Sequence, residues 1–509
     1  MNNNLISIIF LLIIYIQCSS LSFQENLLIQ IFEKNEKKNI MISPLGIYQI
    51  LSLLANGAEG ETQKEILQLL FPNQEIKDNN IILNKINSNI EEILSNISSE
   101  NPSSVNIYPE DGKKNTSINK LLLKDFDSCE GDCNLVFNNI NGLFANKKFN
   151  ILEGFNSICL KYNTSIHELI DAKQINEFCY NNTNGKIKEI IKEVNKDIAL
   201  ILINAIYFKG SWLNPFNKEK TSKLPFENDN NIIEVDTMYK CFDDIMYYGD
   251  EDIQAISLPY ISKKLKFKMV IMLPNQTKYS SPLNYIKTKN TLKEIISKLK
   301  RTKKVNLFLP KFDYDFSVPL KNILNDMNMK EAFSTKADFR KIFGVNNIKI
   351  DEIIHKTFIK IDEEGTEAAA ITDTILLFGA RINRQEPIYM HVNSSFIYAL
   401  ISDEIKDFEG NYLIPFIGLV NNLKGNIIKN KINNEENKNN NPDNSNKILV
   451  KGIINFENDK IRVNERKNLT VIKENNAQVK NFEVSDKSNI GRYIIFNKLF
   501  FSFIILILY

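Results

Sequence analysis

Apolar and polar positions follow several rhythms along most of the chain, and each rhythm predicts an element. Ser43-Pro44 opens the clearest helix, because the hydroxyl can cap free amides and proline is tolerated at the first helical position. Ile47, Ile50, Leu51 and Leu54 then share one stripe, and Gly57 can close the helix. Ala199 to Phe208 is almost continuously apolar and is broken by Asn204. Such a run predicts a strand buried on both faces, in which Asn204 needs an internal partner. Phe267, Met269, Ile271 and Leu273 alternate, as do Val305, Leu307 and Leu309, and each run stops at a proline. These predict strands with one buried face. Helix and strand patterns mix from Leu21 to Leu423 without an internal repeat.

Outside that body the pattern changes. A polar stretch from about Ser98 to Asn134 predicts an exposed loop extension. Residues 424–447 are dominated by Asn, Lys and Glu, and residues 448–492 carry apolar residues without a sustained period, so 424–492 is expected to be a disordered linker or stalk. Leu5 to Ile16 is apolar and is followed by Cys18, Ser19 and Ser20, which predicts a signal peptide over 1–20. The last segment, 493–509, ends in an apolar run from Leu499 to Tyr509. That tail fits a GPI-attachment signal, with Ser488 or Asn489 as the attachment point, or a tail anchor, or neither.

Composition narrows the function classes. A formal charge of +2 argues against a nucleic-acid partner. Cys129, Cys133, Cys159, Cys179 and Cys241 remain beyond the leader, an odd number that is no full disulfide framework. Cys129 and Cys133 flank a polar Glu-Gly-Asp and suit a small exposed disulfide, whereas the other three are expected to be free or buried thiols. His167, His355 and His391 offer little for acid–base chemistry, and no nucleophile elbow, zinc-binding helix motif or phosphate loop occurs. No enzymatic activity, cofactor or metal is therefore expected. Asn-x-Ser/Thr triplets stand at Asn96, Asn115, Asn163, Asn181, Asn275, Asn393 and Asn468, and some are expected to carry glycans in an exported chain. Asn393, in an apolar strand-like stretch, is the weakest acceptor.

Five segments carry a family resemblance. They are Asn39-Ile-Met-Ile-Ser-Pro-Leu-Gly-Ile with Gly57-Ala58 and Thr62; Leu202-Ile-Asn-Ala-Ile-Tyr-Phe-Lys-Gly-Ser-Trp212; and Leu309-Pro-Lys-Phe with Ala332-Phe333 and Ala337-Asp338-Phe339. The others are His355-Lys-Thr-Phe leading into Glu363-Glu-Gly-Thr-Glu-Ala-Ala-Ala370, and Met390-His-Val-Asn-Ser-Ser-Phe396 with Pro415-Phe-Ile-Gly418. In this order and spacing they resemble the serpins, over residues 21–423. The resemblance implies an α+β fold of three β-sheets and eight or nine helices, with an exposed reactive-centre loop above a five-stranded central sheet. It further implies an irreversible inhibitor of serine-type, or cysteine-type, peptidases. The peptidase cleaves the loop, an acyl-enzyme forms, and the loop enters the central sheet as a new strand. The family's loop insertion and stored strain are among the general examples of strand addition and switching.

Strand geometry tests whether this hinge can insert. Alternate side chains must enter the protein, and from Thr366 these are Thr366, Ala368, Ala370, Thr372, Thr374 and Leu376, all uncharged. The acids Glu367 and Asp373 fall on the opposite face, where they stay solvated. Glu363, Glu364, Gly365, Thr366, Glu367, Ala368, Ala369 and Ala370 are therefore the candidate hinge, with Gly365 supplying freedom at the bend. Non-inhibitory serpins usually carry charged, bulky or proline residues at the inward hinge positions, and Thr366, Ala368 and Ala370 are none of these. The alternative class is a non-inhibitory carrier, chaperone or cell-surface binding module.

The resemblance also implies a sheet-opening polar cluster of Ser43, Asn204 and His355, with Gly46 where a second serine is common. Family spacing from Glu363 puts the cleaved bond at Gly379-Ala380, but the segment up to Phe396 is longer than usual. Arg381 would suit a trypsin-like pocket, Phe378 a chymotrypsin-like one, and Gly379 or Ala380 an elastase- or subtilisin-like one. The expected product is a secreted monomer, tethered to the cell surface if the tail is an anchor, and prone to loop–sheet polymers.

Overall fold

The computed structural model describes residues 23–35, 37–72, 74–100, 135–228, 231–262, 266–288, 292–366, 386–407, 410 and 412–430. Helix α1 (Phe23–Lys34) leads to strand β1 (Ile40–Ile42) and helices α2 (Pro44–Gly57), α3 (Gly60–Leu70) and α4 (Asn79–Glu100). Then come β2 (Val136–Ala145), α5 (Glu153–Lys161), β3 (Thr164–Glu168), α6 (Ala172–Asn182) and β4 (Leu200–Ser211). A run of strands follows: β5 (Ser222–Glu227), β6 (Asn231–Phe242), β7 (Ile245–Gly249), β8 (Ile253–Pro259) and β9 (Phe267–Pro274). Helices α7 (Pro282–Thr288) and α8 (Leu292–Lys298) precede β10 (Lys300–Thr302), β11 (Val305–Pro310) and β12 (Phe312–Pro319). The chain continues through α9 (Lys321–Asp326), α10 (Arg340–Phe343), β13 (Glu352–Ile361) and β14 (Gly365–Thr366). It closes with β15 (Ile388–His391), β16 (Phe396–Lys406), β17 (Tyr412–Val420) and β18 (Asn426–Asn430).

The strands form three sheets. The central sheet has the order β12-β13-β14-β4-β2-β3, five longer strands plus the two-residue β14. The second sheet runs β1-β17-β16-β9-β8-β7-β10, and the third β15-β11-β6-β18 with β5 also on β6. Ten α-helices occur among the described residues, several of only one or two turns.

Predicted elements appear with instructive differences. Ser43 caps α2, its Oγ accepting from the Gly46 amide at 2.9 Å. Yet α2 is buried almost all round rather than along one stripe, because it lies between other helices and the sheets. Strand β4 is buried on both faces, as its apolar run implies. The alternation in strand β9 predicts one buried face, and the strand buries both. Phe267, Met269 and Ile271 point into the core shared with the third sheet, while Val270 and Met272 point into the helical core. A third cluster seats α6 on the central sheet through Ile175 and Cys179 against Ile201, Ile203 and Phe144.

The body runs further than residue 423, inside the stretch read as linker. Strand β18 pairs antiparallel with the first residues of β6, Asn231 to Glu234. Asn228 clamps its approach, accepting from the Leu423 amide at 3.0 Å and donating to the Leu423 carbonyl at 3.1 Å. Gly425 passes so near β6 that a Cβ would stand 2.1 Å from the Glu234 carbonyl oxygen. The leader, Cys129 and Cys133, and the chain beyond 430 lie outside the described residues. Cys159, Cys179 and Cys241 are free thiols. Asn393 is exposed between β15 and β16, not held in a strand. No described helix is long and apolar enough to cross a membrane.

Candidate functional site

Strands β13 and β4 run parallel and paired from Glu352–Ile201 to Phe358–Tyr207, then diverge. Strand β14 sits in the cleft so made, with Thr366 opposite Ile361 on one side and Gly210 on the other. It is antiparallel to both neighbours, so its direction points down the seam towards His355 and Asn204. Gly365 has φ +151°, and a Cβ there would lie 2.1 Å from the Gly210 carbonyl oxygen. Only glycine fits that bend. Thr366 is fully buried, with its hydroxyl 2.7 Å from the Tyr260 hydroxyl.

The residues before the bend are clamped. The Trp212 amide donates to the Glu364 carbonyl at 2.9 Å and the Phe216 amide to the Glu363 carbonyl at 2.8 Å. Trp212 Nε1 donates to the Asp362 carbonyl at 3.0 Å, and the indole stacks on Tyr260 at 4.5 Å. The buried Glu363 carboxylate accepts from Thr221 Oγ1 at 2.7 Å and pairs with Lys311 Nζ at 2.9 Å. Burial alone would raise its pKa, but the hydrogen bonds from Thr221 and Lys311 bring it below the ordinary carboxylate value. Glu364 pairs with Lys218 on a short 3-10 turn. The hinge therefore starts from a fixed base.

Further down the seam the polar cluster forms a chain of hydrogen bonds. The Ser43 amide donates to His355 Nε2 at 3.0 Å, which makes that nitrogen the acceptor. The proton consequently sits on Nδ1 and is donated to Asn204 Oδ1 at 2.7 Å. Asn204 Nδ2 reaches Asn139 Oδ1 at 2.6 Å and Asn141 Oδ1 at 2.7 Å, and Asn139 continues to Gln49 on α2. Ser43 Oγ donates to the Pro415 carbonyl at 2.6 Å. Burial pushes His355 down to about 3, so the ring is neutral. A Cβ at Gly46 would stand 2.4 Å from Asn204 Oδ1, so the missing serine leaves room for this asparagine.

The structure thus gathers Glu363, Glu364, Gly365 and Thr366 at one end of the seam and Ser43, Asn204 and His355 in its middle. Glu367, Ala368, Ala369 and Ala370, and the bond candidates Phe378, Gly379, Ala380 and Arg381, lie outside the described residues. Several contributors were missed in the sequence. Asn139 and Asn141 stand two apart, a period-2 spacing that puts both on one face of a strand. Tyr260, Thr221 and Lys218 carried no local signal.

Strand β14 ends inside this cleft, antiparallel to both of its neighbours. The His355–Asn204 bond and the β13–β4 ladder bridge the path that an entering segment would take. The three histidines are far apart in role: His167 stacks on Phe144 at 4.8 Å, His391 stacks on Phe308 at 4.2 Å, and His355 is in the seam. No metal-holding group of His, Cys, Asp or Glu occurs among the described residues.

Comparison with known proteins gives the same picture. A family model described as Serpin (serine protease inhibitor) matches residues 19–422. Leukocyte elastase inhibitor of Xenopus tropicalis is 30% identical over 416 residues, covering 78% of this chain and 98% of its own. Serpin B8 of Bos taurus is 28% identical over 379 residues, covering 72% and 90%. Among solved structures, a thermophilic serpin, Tengpin, in its native state has a TM-score of 0.62 at 24% identity, covering 80% of this chain and 93% of its own. Thyroxine-binding globulin in complex with thyroxine has a TM-score of 0.62 at 22% identity, covering 80% and 99%.

Proposed function

The chain belongs to the serpin family, and on that premise we propose that it is an irreversible suicide-substrate inhibitor of serine-type peptidases, with cysteine-type peptidases as a second target class. The peptidase nucleophile attacks the carbonyl of the bait residue, the new amino terminus departs, and the acyl-enzyme remains on the carboxyl side of the hinge. The hinge then zips between β13 and β4, carrying the tethered enzyme away and deforming its active site before water can hydrolyse the ester. Gly379-Ala380 is the bond we favour, with Arg381 and Phe378 as alternatives. Its site of action is outside the cell, a reading supported by the apolar leader over residues 1–20.

The observation that carries this reading is the seat of Thr366. The first inward hinge residue is buried between β13 and β4, uncharged and hydrogen-bonded to Tyr260. Insertion would extend a pairing that has already begun. The test is incubation with subtilisin, trypsin and elastase, followed by denaturing electrophoresis. We expect an SDS-resistant complex with at least one of them, and mass spectrometry of the released fragment identifies the bond. Cleavage without a covalent adduct, and without a rise in melting temperature, would defeat the inhibitory reading in favour of a carrier or binding module.

A further inference from the structure

The outer face of the third sheet carries an aromatic surface that the core does not require. Along β11 Val305, Leu307 and Leu309 point into the core, and on the opposite face Asn306 is buried beneath its neighbours while Phe308 is half-buried. Pairing sets His391, Phe308 and Tyr239 in one cross-strand row and Tyr389, Asn306 and Cys241 in the next. His391 stacks on Phe308 at 4.2 Å and 8°, Tyr389 lies parallel beside His391 at 6.2 Å and 12°, and Tyr239 meets Phe308 at 4.8 Å with the rings tilted by 37°. The Tyr239 hydroxyl donates to Asn306 Oδ1 at 2.8 Å, which fixes that ring. Tyr389 is 51% exposed and Cys241 is also exposed, so the platform opens to solvent.

Its position says what would meet it. Tyr389 and His391 belong to β15, the strand that follows the bait segment, and the Ile388 amide is tied to the Lys304 carbonyl at 2.9 Å. Ten residues separate Gly379 from Tyr389 (389 − 379), a length that spans at most about 35 Å. A peptidase domain of about 200–250 residues is roughly 45 Å across. An enzyme holding the bait bond is thus wider than the tether between that bond and the platform. Lys220, with its Nζ 5.9 Å from the Tyr239 ring centroid, and the exposed Lys303 add positive charge at the margin. Asp243 and Asp244 lie beside them, the latter paired with Arg301, so the face is aromatic first and basic second.

We propose that this face, centred on Tyr389, His391 and Phe308, is a second docking surface for the body of the target peptidase. The matching patch is a rim that presents an apolar or aromatic side chain flanked by a carboxylate. The rigid rings lose little entropy on contact, which is why such residues anchor interfaces. The inference rests on the inhibitory reading above, and it assigns the surface a role in recognition, before any bond is cut.

The experiment compares wild type, Tyr389→Ala, Tyr389→Phe and the double variant Tyr389→Ala/His391→Ala against the peptidase that forms the covalent complex. The second-order rate constant for inhibition, the stoichiometry of inhibition and the melting temperature are measured, together with cleavage of a free peptide spanning residues 373–386. Tyr389→Ala should lower the second-order rate constant for inhibition about tenfold, because an encounter complex that has lost an aromatic anchor dissociates more often before the bond is attacked, and the double variant more. Stoichiometry, melting temperature and peptide cleavage should stay as in wild type, and Tyr389→Phe should restore most of the rate. A rate constant within twofold of wild type in both alanine variants would overturn the inference, as would a rate loss matched by falling melting temperature. Failure of wild type to form any covalent complex would overturn the inhibitory reading and this surface with it, whereas normal complexes at unchanged rates overturn the surface alone.

Discussion

Two seams between neighbouring strands of this molecule are held by different chemistry. In the second sheet, β9 and β16 meet through Met269, Val270, Ile271 and Met272 against Leu400, Ala399, Tyr398 and Ile397, each at most 1% exposed. Both faces of that seam are apolar, so separating the strands would expose core on two sides. In the central sheet, β13 and β4 meet through His355 and Asn204, and the seam is held partly by a polar chain. Hydrogen bonds can be exchanged for new ones at little net cost, whereas buried apolar area has no such substitute. On the proposed mechanism the second sheet stays shut while the central one is rebuilt around a new strand.

The most severe way to break that contrast is to poison the entry point. Thr366→Arg would place an unpaired charge where Thr366 is fully buried beside Tyr260. A cost of about 3 kcal/mol or more for an uncompensated buried charge corresponds to roughly a hundredfold change in partition. The variant should be cleaved as a substrate and form almost no SDS-stable complex. Gel quantification of complex against cleaved chain checks this. Wild-type trapping by Thr366→Arg would mean that Thr366 is not the first residue to enter.

A cut in the apolar seam should do the opposite, lowering stability while leaving the mechanism intact. Leu400→Ala removes a fully buried side chain facing Met269, which should cost about 2–5 kcal/mol in chemical denaturation. The surviving folded protein should still trap peptidase with ordinary stoichiometry. A Leu400→Ala protein that is stable but acts only as a substrate would show that the two seams are not independent.

How much of this was readable in the chain depended on the range of the contacts involved. The cap at Ser43, the twice-buried strand around Asn204 and the uncharged alternation after Gly365 follow from local chemistry, and each could be stated from a few neighbouring residues. The base of the hinge could not. Tyr260, Thr221 and Lys311 reach it from separate strands and loops, and their pairing exists only once three distant segments meet. Strand β9 resembled a one-faced strand because alternation reports side-chain chemistry and not the number of layers packed against it. Strand β18 was hidden for a similar reason. Two isoleucines in a polar stretch are weak evidence, and both stay exposed; what places the strand is the Asn228 clamp and the close approach at Gly425.

The smallest expected effect separates the seams by their response to acid. His355 is held neutral by burial at a pKa of about 3, against about 6.5 in an unfolded chain. A folded-state pKa below the unfolded one means that the unfolded chain binds the proton more readily. The contribution is fully present above pH 6.5 and is lost as pH falls from 6.5 towards 3. Between pH 7.5 and 5 the loss should be roughly 2 kcal/mol from this residue alone. His167 and His391 are also lowered by burial and add in the same direction. His355→Gln keeps a side chain that can hydrogen-bond but removes the titration, so its stability should fall less over the same interval. Leu400→Ala should keep the full wild-type slope. Denaturation curves for the three proteins at pH 7.5 and 5 decide the matter: if wild type and His355→Gln lose stability equally, the polar seam is not the acid-sensitive one, and the contrast drawn between the two sheets fails at its most specific point.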